Sequence, residues 1–208
     1  NKKTGRRIRA VLPVHLYGHS CDMDGIMSFA GKYNLAVIED AAEAVGTLRE
    51  GRHAGRDGLF GCFSFNGNKT LTTGGGGMVI GRDKKLLDRV RHLSTQAKRD
   101  ELHYIHDEVG YNYRMLNVQA AIGLGQLEHI EEMIARKREI FARYKRAFAG
   151  TGGLELFDEQ PWCRSNRWFA LIYMDAARRD EFMRRMDAKK IQTRPFWLPN
   201  HMQPMFKD

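Results

Sequence analysis

Two residues of opposite charge stand at the ends of apolar, strand-like runs. "LAVIED", Leu35 to Asp40, closes on a pair of carboxylates. "GLFGCFSF", Gly58 to Phe65, is followed by the turn Asn66-Gly67-Asn68 and a single lysine, Lys69. If the two runs are neighbouring strands, Asp40 and Lys69 lie at adjacent strand ends. A lysine and a carboxylate so placed are the working parts of a pyridoxal phosphate site. The lysine condenses with the cofactor aldehyde, and the acid keeps the pyridine nitrogen protonated so that the ring accepts electrons. Ser64 and the glycine-rich backbone that follows offer hydroxyl and N–H donors for a phosphate. Four consecutive glycines, Gly74 to Gly77, carry a large ordering cost. They are expected to let something approach the backbone closely.

Other readings of the same residues stand beside this one. A lysine in a turn is most often solvated, and an aspartate at a strand end most often caps or forms a turn. The order G-x-x-x-x-G-K-[ST] is not met, because Lys69 precedes the glycines, and no G-x-G-x-x-G is present.

The elements that must hold these residues alternate. Ile8 to Leu16 reads as a buried strand, Asp22 to Lys32 as an amphipathic helix, and Leu35 to Asp40, Gly58 to Phe65 and Gly77 to Ile80 as strands. Asp83 to Ser94 reads as a second helix, Tyr104 to Asn117 as a loop, and Val118 to Phe148 as one long helix stopped by Gly150-Thr151-Gly152-Gly153. A strand at Arg167 to Met174 and a helix from Ala176 to Lys189 follow. The alternation predicts an α/β fold with a mostly parallel sheet, whose polar strand ends are where open sheets bind ligands. Residues 1–130 are expected to form the cofactor-binding domain, and residues 131–208 a connecting helix and the start of a small α+β domain.

The 208 residues suffice for one or two domains with a real core. Cys21, Cys62 and Cys163 are odd in number and scattered, which fits a reducing cytoplasm and neither a disulfide framework nor a zinc site. No apolar run approaches the length of a membrane span. The net charge of +9 is dispersed over helix-like stretches with intervening acids, a pattern of solvated faces rather than a nucleic-acid surface. It suits an anionic small-molecule partner. The start, Asn1-Lys2-Lys3-Thr4, lacks a methionine and a signal peptide and is read as a cut or processed end.

Five stretches carry a resemblance: "PVHLYGHSCDMDGI", "LAVIEDAAEAVGT", "FSFNGNKTLTTGGGGMV", "GYNYRMLNVQAAIGLGQLE" and "TRPFWLPNH". In this order they resemble the DegT/DnrJ-type nucleotide-sugar aminotransferases, pyridoxal-phosphate enzymes of fold type I. "STQAKRDELHYIHDEVGYNYRM" looks closest to the branch acting on UDP-4-keto-6-deoxy-N-acetylhexosamines in bacillosamine and legionaminic acid synthesis.

The resemblance implies that Lys69 is the cofactor-bearing lysine and later the proton carrier, and that Asp40 pairs with the pyridine nitrogen. Glu43 would stand near the ring hydroxyl and Ser64 would bind the phosphate. Asn112 would reach the cofactor of a partner subunit, which implies a homodimer. His15, Tyr17, Arg114 and His201 are candidates for the sugar site, and Trp162, Trp168 and Trp197 are read as core or interface. The implied reaction takes an amino group from L-glutamate and delivers it to the 4-keto carbon of a UDP- or other nucleotide-linked 4-keto-6-deoxy sugar. No metal is implied.

Family members run to nearly twice this length, so the chain is expected to be an internal fragment of such an enzyme. The alternative is a catalytically inactive sugar-nucleotide-binding or regulatory protein on the same fold. Relatives that use the cofactor for dehydration typically carry His at the lysine position, and Lys69 argues against that chemistry.

Overall fold

The structure is a computed structural model that describes residue 2 and residues 4–206. Asn1 and Lys3, in the start read above as cut, lie outside the described residues, as do Lys207 and Asp208. In chain order the elements are β1 (Ala10–Val11), α1 (Met23–Tyr33), β2 (Ala36–Asp40), β3 (Leu48–Arg49), β4 (Arg52–His53), β5 (Phe60–Ser64) and β6 (Gly77–Gly81). There follow α2 (Lys84–Ser94), β7 (Lys98–Asp100), β8 (Ile105–His106), α3 (Asn117–Leu127), α4 (Ile130–Ala147), β9 (Leu154–Leu156), β10 (Cys163–Arg164), β11 (Ile172–Met174) and α5 (Ala176–Ala188). Two compact units result: residues 1–144 with 158–170, and residues 145–157 with 171–208.

The first unit is built on a sheet of order β1-β2-β5-β6. β1 and β5 run parallel to β2, as strands joined by crossovers must, and only β6 is antiparallel. α1 is the first crossover. Asp22 caps it by accepting the Gly25 N–H, and left-handed Asn34 ends it. Its inner stripe packs Met23 and Ala30 on Val37 of β2. On the other side Ala41, Ala44, Ala54 and Phe63 form a second small core. A three-stranded antiparallel sheet, β10-β3-β4, brings a distant piece of chain back to this unit.

Several sequence-based expectations are corrected. The buried strand over Ile8 to Leu16 shrinks to two residues at the sheet edge, with Ile8 and Leu12 more than half exposed. Pro13, which has no N–H to give, interrupts it, although its carbonyl still accepts from Asp40. The loop predicted over Tyr104 to Asn117 contains β8, paired with β7. The single helix predicted over Val118 to Phe148 is two. At Glu128 the N–H turns to the carbonyls of Gln126 and Leu124, and the ladder restarts at Ile130. Gly123 and Gly125 weaken the helix just before this break.

Of the four glycines, Gly77 answers to the sheet. Gly74 and Gly76 take positive φ, and a Cβ on Gly77 would stand 2.4 Å from the Phe63 carbonyl oxygen across the β5–β6 ladder. Only glycine fits that pairing.

In the second unit β9 and β11 pair antiparallel, with Phe157 meeting Tyr173 edge-on at 5.8 Å. α5 is capped by Asp175, which accepts the Ala177 N–H. Among the described residues no helix is long and apolar enough to cross a membrane.

Candidate active site

β2 alternates faces, so its terminal carboxylates, Glu39 and Asp40, are directed to opposite sides of the sheet. Asp40 ends the strand at the carboxyl edge of the parallel sheet. Its backbone is fixed by the neighbouring chain: its N–H donates to Pro13 O and its carbonyl accepts from His15 N–H, both at 2.9 Å. One carboxylate oxygen, Oδ1, accepts the Ala42 N–H at 3.0 Å. The other, Oδ2, has no hydrogen-bond partner among the described residues.

The chain turns after Asp40 and buries Glu43. Its Oε2 accepts the Tyr17 N–H at 2.6 Å, and its Oε1 lies 3.5 Å from Lys69 Nζ. Burial pushes the Glu43 carboxyl up, against the downward pull of the Tyr17 N–H and of the Lys69 charge, while the nearby Asp40 charge pushes it further up. Lys69 follows the end of β5 on a turn closed by its own N–H to Asn66 O at 3.0 Å. Its side chain is 12% exposed. Its amine also lies over the Trp168 ring, 4.3 Å from the centroid.

Trp168, read above as core or interface, reaches this place on a segment that forms no strand until Ile172, although one was expected from Arg167. Asn166 is fully buried. Its side-chain amide donates to the carbonyls of Glu43 and Val45 at 2.8 and 2.9 Å, and its Oδ1 accepts the Trp168 N–H at 2.9 Å. Gly18 makes room for it: a Cβ there would stand 1.9 Å from Asn166 Oδ1, and Gly18 has φ +81°. The Trp168 indole N–H then donates to Asn68 O at 2.7 Å, next to the lysine. Tyr17, itself left-handed at φ 55°, stacks on Trp168 at 6.1 Å. No local pattern marks Asn166 or Trp168, because their partners lie about a hundred residues upstream.

Glu39 is the other missed residue. It is fully buried, and its carboxylate accepts the N–H groups of Gly55, Asp57 and Gly58 at 2.9, 2.8 and 2.6 Å. His15 Nε2 lies 2.8 Å from the same carboxylate, and His15 Nδ1 accepts the Cys21 N–H at 3.1 Å. Since Nδ1 accepts, Nε2 carries the hydrogen given to Glu39. Burial alone would raise the Glu39 carboxyl, but the His15 and backbone N–H bonds outweigh it and hold it below the usual glutamate range.

His15 was read as a sugar-site candidate. Both of its ring nitrogens are engaged in this buried network, so it holds the strand end instead of offering an atom to a ligand. Ser64, half-buried at the end of β5, accepts the Asn66 N–H at 3.3 Å. Asn112, whose backbone bridges Thr95, and Arg114 are both exposed, and neither bonds Asp40, Glu43 or Lys69. His201 belongs to the second unit, in the exposed turn Asn200–Met202.

The donor set fits a phosphorylated pyridine aldehyde. A nearly buried amine, a strand-end carboxylate with one oxygen uncommitted, and a second carboxylate touching the amine stand together. The adjacent Thr70 hydroxyl is buried without a hydrogen-bond partner among the described residues.

Comparisons with known proteins agree. A family profile described as the DegT/DnrJ/EryC1/StrS aminotransferase family matches residues 1–208. The GDP-perosamine synthase of Escherichia coli O157:H7 is 42% identical over 208 residues, covering 100% of this chain and 57% of that protein. EpsN of Bacillus subtilis, named a putative pyridoxal phosphate-dependent aminotransferase, is 41% identical over 206 residues, covering 99% of this chain and 53% of its own length. The crystal structure of the aminotransferase TlmJ from Streptoalloteichus hindustanus superposes with a TM-score of 0.92 at 30% identity, over 99% of this chain and 56% of TlmJ. DesV of S. venezuelae, solved with a ketimine intermediate, gives 0.89 at 34% identity over 99% of this chain and 55% of its own. The chain spans about half the length of the relatives it matches.

Proposed function

The chain belongs to the DegT/DnrJ/EryC1/StrS aminotransferase family, and on that premise we propose that the whole protein moves an amino group from L-glutamate to the 4-keto carbon of a nucleotide-activated 4-keto-6-deoxy sugar. Pyridoxal 5′-phosphate is the cofactor of this family. The observation that carries the assignment to this chain is the Lys69 amine. It lies 3.5 Å from Glu43, whose backbone continues from the Asp40 strand end.

When bound, the cofactor supplies an aldehyde that carries the amino group and a ring that accepts an electron pair. Lys69 would hold the cofactor's aldehyde carbon and, when its amine is free, would carry a proton between the substrate carbon and the cofactor in each half-reaction, taking it from the donor's α-carbon in the first and giving it to the sugar's carbon 4 in the second. Asp40 would use Oδ2 to keep the ring nitrogen protonated, Glu43, fixed by Tyr17, would stand near the ring hydroxyl, and Ser64 would hold the phosphate.

Asn112 of a second copy completes the phosphate site, which makes the working form a homodimer. Tyr17 and Arg114 are the side chains assigned to the sugar, of the UDP-linked N-acetylhexosamine class. The setting is the cytoplasm.

Adding pyridoxal phosphate to the purified protein, reducing with borohydride and mapping peptides tests this. A visible absorption band, with the reduced adduct on Lys69 and lost in Lys69→Ala, is expected. Amino transfer from glutamate to UDP- and GDP-linked 4-keto-6-deoxy hexoses should follow. Label scattered over surface lysines of the folded protein would overturn the assignment. Label on Lys69 without transfer to any such sugar would leave a binding protein on the same fold.

A further inference from the structure

Resting on the reading of Lys69 as the reactive amine, we propose that Trp168 is its positioning residue, anchoring the lysine turn through its indole N–H and holding the free ammonium on its ring face against Glu43.

Three contacts converge on two consecutive residues. The indole N–H donates to Asn68 O at 2.7 Å, which fixes the backbone one residue before the lysine. The ring face lies 4.3 Å from Nζ. Glu43 Oε1 approaches the same amine at 3.5 Å. An aromatic face attracts an ammonium and not a neutral amine, and the attraction grows as water is excluded. Here Lys69 is 12% exposed and Trp168 is 3% exposed.

The ring is itself held. Asn166 fastens the segment to the carbonyls of Glu43 and Val45, and Phe169 stacks on Trp168 at 4.1 Å, 30° from coplanar. A side chain held this firmly leaves the lysine one favourable resting position whenever its amine is charged and unattached. Trp168 thus acts through Lys69, by fixing where the displaced amine waits between proton transfers.

Competitive acylation of the amines with acetic anhydride, read by peptide mass mapping, reports the availability of each neutral lysine amine without any cofactor. Growth on 5-fluoro-, difluoro- and tetrafluorotryptophan weakens the ring's negative face while keeping its shape. Lys69 acylation should rise stepwise with fluorine content, by about fivefold at the top of the series. Exposed Lys84, which pairs with Asp88, should not change.

Trp168→Leu should show at least the same acceleration, and Trp168→Phe, which keeps a ring face but loses the indole N–H to Asn68 O, should fall between native and Trp168→Leu. A flat fluorine series in protein of native melting temperature would overturn the proposal. So would a Trp168→Phe variant as fast as Trp168→Leu. If Trp168→Leu does not fold, the fluorinated series decides alone. The two readings separate cleanly: pyridoxal phosphate failing to trap on Lys69 sinks the amino-transfer reading while the acylation rates still judge Trp168, and trapping with a flat series removes Trp168 alone.

Discussion

Glu39 and Asp40 are adjacent carboxylates with unrelated tasks, separated by strand alternation. Asp40 ends up half-buried at the sheet edge, while Glu39 collects three backbone N–H groups and a histidine in the interior. Glu39→Gln would put an amide where donors already converge, and should cost about 3 kcal/mol in chemical denaturation. The pH dependence has a definite sign. The folded carboxyl is held below its unfolded value, so its stabilisation is complete above the ordinary glutamate value and is lost as pH falls from there through the lowered value. Melting temperature should therefore drop on acidification over that window, and less steeply in Glu39→Gln. An equal acid slope in both proteins would refute this account.

Lys69 and Asp40 were legible because each ends an apolar run. Glu39 was seen as a charge but not as a staple, since its partners lie on a loop with no pattern. The glycines were legible as a constraint, and at Gly77 the close approach is that of the Phe63 carbonyl.

The segment from Cys163 to Phe169 shows how one short element governs another. It adds β10 to the β3–β4 hairpin, buries Asn166 and delivers Trp168 to the lysine turn. Gly18 and Asn166 form an interlocked pair, because the amide oxygen occupies the space a Cβ on Gly18 would need. Gly18→Ala should cost about 3 kcal/mol, from the left-handed backbone and the clash. Asn166→Ala should cost about 2 kcal/mol for its lost buried bonds. In the double variant the clash is gone, so its cost should fall about 1 kcal/mol short of the sum of the two single costs. Strict additivity in urea melts would show that the two residues do not meet.

Helices were legible from period and caps, α1 and α2 to within a residue or two. The α3–α4 break was not, because the apolar spacing runs through it. Hairpins of two-residue strands such as β3–β4 carry too little periodicity to be read.

At the scale of the molecule, the parallel sheet followed from strand and helix alternation, and the family from five ordered motifs. What the sequence could not display is which apolar residues stay uncovered. α3 buries none of its residues, and Leu116, Val118, Ile122, Leu124 and Leu127 are all about half exposed or more. A face of this kind is one that other protein covers, and the proposed homodimer would supply that cover. Light scattering should show concentration-dependent dimers, and Ile122→Glu with Leu124→Glu should shift them to monomers without loss of helical signal. Monomers at all concentrations of the native protein would count against the second copy.

The first unit is discontinuous along the chain, closing only when residues 158–170 return to it. On a ribosome adding ~5–20 residues per second, Lys69 therefore emerges many seconds before Trp168 and Asn166 exist. The nascent chain carries the Lys69 amine without the Trp168 ring for that interval, and the surroundings of the amine are complete only once residues 158–170 have been made.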